Sequence, residues 1–156
     1  MLRFNKILCP VDFDANSLQA LQLASELAQE CKATLHLLHV VAMPPGPEVA
    51  LPFGKMEMAA RTKLERLARR KVNGKARYQV DVLMGDPSVE ILQAAKRQGA
   101  NLIVMATHGR QGLRHLVLGS VAEHVVREAS CPVLTVKPKT PAAKSSARRP
   151  AKKRPA

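Results

Sequence analysis

The sequence predicts an α/β protein built on a five-stranded parallel open sheet with helices on both faces. Three observations predict it. Short apolar runs of strand length alternate with longer stretches of helical periodicity. Turn and cap residues punctuate almost every junction. The run N-L-I-V-M-A-T at 101–107 is apolar nearly throughout, as expected of a strand covered on both sides.

The elements follow in order. Residues 4–11, F-N-K-I-L-C-P-V, suit a buried first strand. Asp12, Asp14, Asn16 and Ser17 then offer turn and cap chemistry, with Asp12 a candidate cap for the first helix. Leu18, Leu21, Ala24 and Ala28 recur at helical spacing, and that helix ends near Cys31. Residues 33–41 form the second strand. Met43-Pro44-Pro45-Gly46-Pro47 breaks regular structure and opens a surface segment to about Gly54. Residues 55–71 read as a charged amphipathic helix with Met56, Ala60, Leu64 and Leu67 on one face. Asn73-Gly74 stops it, and residues 76–84 are the third strand. Asp86 is a good N-cap with Pro87 at the first helical position, and Gly99 closes that helix. After the fourth strand comes a loop with two glycines, a last helix over 119–129 and a fifth strand over 131–136. Alternation of this kind argues for parallel strands and right-handed crossovers.

Composition narrows the function classes. The chain has 156 residues, 46% of them apolar and only 3% aromatic. One compact domain with an aliphatic core follows. No apolar stretch approaches the roughly 20 residues of a membrane span. Residues 1–6 lack the apolar core of a signal peptide, so a cytoplasmic location is expected. Cys9, Cys31 and Cys131 lie far apart without a C-x-x-C pair, which argues against tetrahedral zinc and reads as buried thiols. The net charge is +13, but residues 137–156 hold eight Lys/Arg and no acid, leaving +5 on residues 1–136. The expected organisation is therefore one domain over residues 1–137 and a disordered basic Lys/Arg/Pro/Ala tail over 138–156.

In open parallel sheets, ligands bind at the carboxyl ends of strands where the strand order reverses. If the second half winds back from a central first strand, strands one and four become neighbours. Pro10, Val11 and Asp12 then face Met105, Ala106, Thr107 and His108 across a crevice. Gly109 lacks a Cβ, so the chain there can bend closely around a ligand. Gly119 and Ser120 open a helix, whose N–H groups and dipole favour phosphate. Arg110 and Arg114 add cationic reach. Neither G-x-x-x-x-G-K-[ST] nor G-x-G-x-x-G is present, so these glycines alone are weak evidence.

The residues also match a known pattern. K-I-L-C-P-V-D near the start, L-H-V at 38–40 and G-D-P at 85–87 are three of its marks. The run M-A-T-H-G-R-Q-G-L-R-H-L-V-L-G-S-V-A-E and the closing C-P-V-L-T-V complete it. Over roughly residues 3–137 the chain resembles the universal stress protein family in its UspA-like, ATP-binding form. The resemblance implies an adenine nucleotide alpha hydrolase-like, Rossmann-like fold and binding of ATP, ADP or AMP. Nucleotide-binding members carry G-x-x-G, nine residues, then G-[S/T]. Gly109 and Gly119-Ser120 fit at that spacing, whereas Ala106 replaces the first glycine and restricts the backbone there. The resemblance implies that Asp12 and Val40 contact the adenosine end, with Pro10 and Val11 lining the pocket. It places Met105, Ala106, His108, Gly109 and Arg110 around ribose and phosphates, and Gly119, Ser120, Val121 and Ala122 on the helix side. Asp12 would repel phosphate, so it should face base or ribose unless Mg²⁺ intervenes. The resemblance further implies a homodimer through the last strand, residues 132–136, with Pro132 and Val136 at its ends.

Simpler roles stand beside these. Ser120 and Glu123 form S-x-x-E, a capping box for the last helix. Gly109 and Gly112 could serve a plain turn. His36 and His39 are three apart on a strand and face opposite sides, so they do not form a metal pair. His108 and His115 share the loop with no local carboxylate or cysteine, a poor metal site. His108 is the one local candidate base, and nothing in the sequence orients it. The expected function is thus a nucleotide-binding stress-response regulator with at most slow hydrolysis. The alternatives are a dimeric interaction module without nucleotide, and polyanion binding (DNA, RNA or an anionic surface) through the tail.

Overall fold

The computed structural model describes residues 3–43, 52–72, 74–108 and 118–138. Nine elements alternate in the predicted order among these residues: β1 (Lys6–Pro10), α1 (Ala15–Cys31), β2 (Thr34–Ala42), α2 (Phe53–Lys71), β3 (Arg77–Gly85), α3 (Pro87–Gln98), β4 (Leu102–Ala106), α4 (Ser120–Glu128) and β5 (Val133–Val136). All strand pairs are parallel, in the order β3-β2-β1-β4-β5. The first half of the chain winds outward from β1 and the second half winds back, so the order reverses between β1 and β4.

Strand alternation divides the core into two layers. Ile7, Cys9, Leu35, Leu37 and Val104 pack with Leu21, Ala24 and Ala28 of α1 and Leu64, Leu67 and Ala68 of α2. Leu8, Leu38, Ile103 and Met105 turn the other way, onto Ile91, Ala94 and Ala95 of α3 and Ala122 and Val125 of α4. Each layer is aliphatic, consistent with the scarcity of aromatics. No described helix is long and apolar enough to cross a membrane.

Local chemistry explains most boundaries. Asp86 caps α3 by accepting from Val89 N–H at 3.0 Å, Pro87 takes the first position, and Gly99 ends the helix with φ at 63°. Two expectations need correction. Met56 is 39% exposed, because the inward face of α2 begins only at Ala60 and is centred on Leu64, Leu67 and Ala68. Of the three thiols, only Cys9 is fully buried, with its pKa pushed up to about 12 by burial. Cys31 is exposed at the last position of α1, and Cys131 is half-buried in the connection before β5, packed against the α3–α4 layer.

Candidate functional site

The crevice at the reversal has two walls. On the first, Pro10 ends β1, and Val11 N–H extends the pairing by donating to Leu38 O at 2.8 Å. His39 Nδ1 lies 2.7 Å from Val11 O. A carbonyl only accepts, so Nδ1 carries the hydrogen. Phe13 follows in the left-handed region at φ 67°. Its ring lies against His39, with centroids 4.6 Å apart, and beneath Lys63 Nζ at 4.2 Å. These contacts hold a backbone geometry that an aromatic residue rarely adopts.

Asp12 does not cap α1. The cap is Asp14, whose Oδ1 accepts from Ser17 N–H at 2.7 Å. Asp12 stands two residues earlier, so its Oδ1 accepts from Asp14 N–H at 3.1 Å, and its own N–H meets Ser17 Oγ at 3.3 Å. The turn is satisfied by its own side chains. Burial, with the neighbouring Asp12 carboxylate, raises the Asp14 pKa above its ordinary 3.8 against the lowering effect of its Ser17 bonds.

The second wall is β4. Ala106 is its last residue, paired with Val136 of β5. Thr107 then continues the line, donating its N–H to Val136 O at 3.0 Å. Its carbonyl accepts from Gly119 N–H at 2.7 Å. That bond ties the two ends of the intervening loop together at the mouth of the crevice. Thr107 Oγ1 also sits 2.8 Å from His108 Nδ1, so His108 does have a group that orients it.

At the start of α4 the expected capping box does not form. Gly119 is the N-cap, with no side-chain bond to the helix, and Ser120 is already helical and exposed. Placed one position too late, the Ser120 hydroxyl cannot cap. Glu123 reaches forward instead, to Arg127 at 2.6 Å. The first N–H groups of α4, at Ser120, Val121 and Ala122, therefore have no side-chain cap and open at the carboxyl end of β4.

The remaining predicted residues divide by side-chain direction. Val11, Met105 and Ala122 are core, at 3%, 5% and 2% exposure, so their side chains belong to the packed layers, and the N–H and carbonyl of Val11 are also engaged, with Leu38 and His39. Val40, near the end of β2, is half-buried against the α3–α4 layer. Gly109, Arg110, Gly112, Arg114 and His115 lie outside the described residues, as do most of the basic tail and Asn73. His36 and His39 do face opposite layers. His36 is buried with Nδ1 lacking a hydrogen-bond partner, and burial lowers its pKa below 6.5. No group of three potential metal ligands occurs among the described residues.

One cap and two contacts that matter here were not singled out from the sequence. Asp14 had a signal, since D-x-x-S before an apolar helical run is cap spacing. The Thr107–Gly119 bond and the His39–Val11 bond had none, being contacts between distant segments.

Comparison with known proteins adds an independent finding. The model of the universal stress protein family matches residues 3–137. Universal stress protein MJ0531 of Methanocaldococcus jannaschii is 37% identical over 86% of this chain and 82% of its own length. The solved structure of MJ0577, from the same organism, superposes with a TM-score of 0.77 at 27% identity, covering 90% of this chain and all of that one. A universal stress protein from Archaeoglobus fulgidus, solved in complex with dAMP, shares the fold with a TM-score of 0.61 at 23% identity, covering 86% and 98%.

Proposed function

The chain belongs to the universal stress protein family, and from that premise we propose that it binds an adenine nucleotide in the crevice between β1 and β4. One observation carries the reading: α4 opens at this crevice with N–H groups that no side chain caps, while α1 opens there with a carboxylate cap. Phosphate belongs on the α4 side, against the main chain of Gly119, Ser120, Val121 and Ala122. Gly109 and Arg110 would close over it from the loop, beside Ala106 and His108. The adenosine end belongs on the acidic side, with Asp12 toward ribose or base and Pro10, Val11 and Val40 as wall. The dAMP bound by the Archaeoglobus fulgidus protein is a ligand of this class. Where the ligand is a di- or triphosphate, Asp12 is the carboxylate that would hold an accompanying Mg²⁺, which would offset the phosphate charge.

The domain that carries this site is residues 1–137, with 138–156 a separate basic tail. A cytoplasmic homodimer through β5 completes the reading. That strand pairs only with β4 among the described residues, and Leu134 on it is 37% exposed. An edge of β-branched and leucine residues is normally covered.

The test is direct. Protein purified natively and then denatured should release a compound absorbing near 260 nm, and calorimetry should show binding of ATP, ADP or AMP to the stripped chain. No released nucleotide together with no calorimetric heat sinks the reading and leaves a dimeric interaction module.

A further inference from the structure

The positive charge of the folded domain is concentrated in one place. Residues 53–77, which make up α2 and the approach to β3, hold nine Lys/Arg and two acids. The rest of residues 1–136 holds eight Lys/Arg and ten acids. Arg66, Arg69, Arg70, Lys71, Lys75 and Arg77 are all exposed, and none has an ion-pair partner among the described residues. Arg61 and Lys63 differ, being engaged with Glu57 and with the Phe13 ring. Lys32, at the end of α1, extends the patch across a hollow that Lys75 and Arg77 also line.

A helix macrodipole accounts for part of this. Arg69, Arg70 and Lys71 fall in the last turn of α2, where cations are favoured. Arg66 lies before that turn, and Lys75 and Arg77 lie beyond it, so the patch exceeds what the dipole calls for. On a helical wheel Arg66, Arg69 and Arg70 cluster opposite Leu64, Leu67 and Ala68, which are buried against the sheet.

From this we infer that the outward face of α2 is a docking surface for the phosphate backbone of double-stranded nucleic acid. Leu64, Leu67 and Ala68 are used up inside the fold, and the exposed apolar side chains of α2, Met56 and Met58, lie in its first two turns, away from Arg66, Arg69 and Arg70, so the basic stretch itself has nothing to insert into a lipid surface. From Arg66 to Arg77 no apolar or fully exposed aromatic side chain offers the anchor on which protein interfaces depend. Without exposed aromatics, stacking on single strands is unavailable. Rows of unpaired cations suit phosphates, and release of counterions supplies the free energy without base contacts. The patch lies beside β3, at the opposite sheet edge from β5, after which the basic tail begins. It is therefore a separate surface from the tail.

The experiment uses the full chain, with the tail present throughout, and a short random-sequence DNA duplex followed by fluorescence anisotropy across a salt series. Combining Arg66→Gln, Arg69→Gln and Arg70→Gln should weaken binding at least ten-fold near 0.1 M salt and make the slope of log K against log salt shallower by about three. Lysine at the same three positions should restore the slope. If the glutamine variant does not fold by circular dichroism, Lys75→Gln with Arg77→Gln should lower the slope by about two. An unchanged slope in a folded variant assigns any binding to the tail and overturns the proposal. So does tighter binding to phosphatidylserine vesicles than to the duplex, or failure of the parent chain to bind the duplex at all.

Discussion

The two helices that open at the crevice are treated in opposite ways. α1 begins with a closed system: Asp14 caps it, Asp12 holds Asp14, and Ser17 is bonded to both. α4 begins with Gly119, which contributes a bond to Thr107 but no cap. Both helices present the positive end of a dipole to the same space. Only one leaves its donors for something else. A helix with a first-turn N–H already met by its own carboxylate has less left for an anion, and that carboxylate repels one. The difference sorts the crevice into an acidic wall and an anion-accepting wall before any ligand is considered.

Ser120→Pro tests that asymmetry with the largest expected effect. Proline is tolerated at the first helical position, and Gly119, at φ −71° and ψ 160°, already has the geometry a following proline requires. The substitution deletes one N–H and one hydroxyl without disturbing the helix. Nucleotide affinity measured by calorimetry should fall by about ten-fold or more, the scale of one charge-assisted hydrogen bond, with the melting temperature unchanged. An unaltered Kd would put the phosphates elsewhere.

Asp14→Ala is the mirror experiment on the other wall. Loss of the cap should cost about 1 kcal/mol in urea unfolding while affinity stays nearly the same. A large loss of affinity with intact stability would reverse the assignment of the walls. Ala106→Gly should sharpen the comparison further. Relaxing the backbone where β4 enters the loop should tighten nucleotide binding a few-fold, and glycine in a strand should lower stability by about 0.5–1 kcal/mol. The loss of stability alone, with affinity unchanged, would show that the methyl of Ala106 is not what limits the site.

The smallest effect concerns charge on the acidic wall. The folded-state pKa of Asp14 is raised, so the folded protein holds this proton more firmly than the unfolded chain. Its contribution is therefore present below 3.8 and is lost as pH rises through the raised value. Asp14→Asn keeps a capping oxygen and removes the charge. It should leave stability at pH 7 unchanged or higher by a few tenths of a kcal/mol and flatten the pH dependence just above 3.8. A clear loss of stability at pH 7 would mean that the carboxylate charge itself supports the turn.

Much of this was legible in the chain itself. The run at 101–107 has the composition of a strand covered on both faces, and β4 is so covered. Asp86, Pro87 and Gly99 act where their local chemistry predicts. The neighbouring of β1 and β4 followed from the reversal expected of such sheets, and with it the location of the crevice. The finer assignments were less legible because two answers satisfied the same local pattern. Asp12 and Asp14 are both plausible caps, and the path of the chain out of β1, through the left-handed Phe13, selects Asp14. Ser120 and Glu123 have capping-box spacing, yet the box is displaced by one residue once Gly119 is tied to Thr107. Val11, Met105 and Ala122 lie in the motif stretches, and strand or helix phase turned their side chains into the core.

What the sequence by itself determined was the set of elements, their order and their two-faced burial. Hydrophobic period, turn chemistry and helix stops act within a few residues and are written directly in the chain. What only the tertiary structure decided was which donors and acceptors remain open at the crevice. That depends on contacts between segments far apart in the chain: Gly119 with Thr107, His39 with Val11, Lys63 with Phe13. A hydrogen-bonding group is available to a ligand only if no neighbour in space has already taken it, and local sequence does not specify those neighbours.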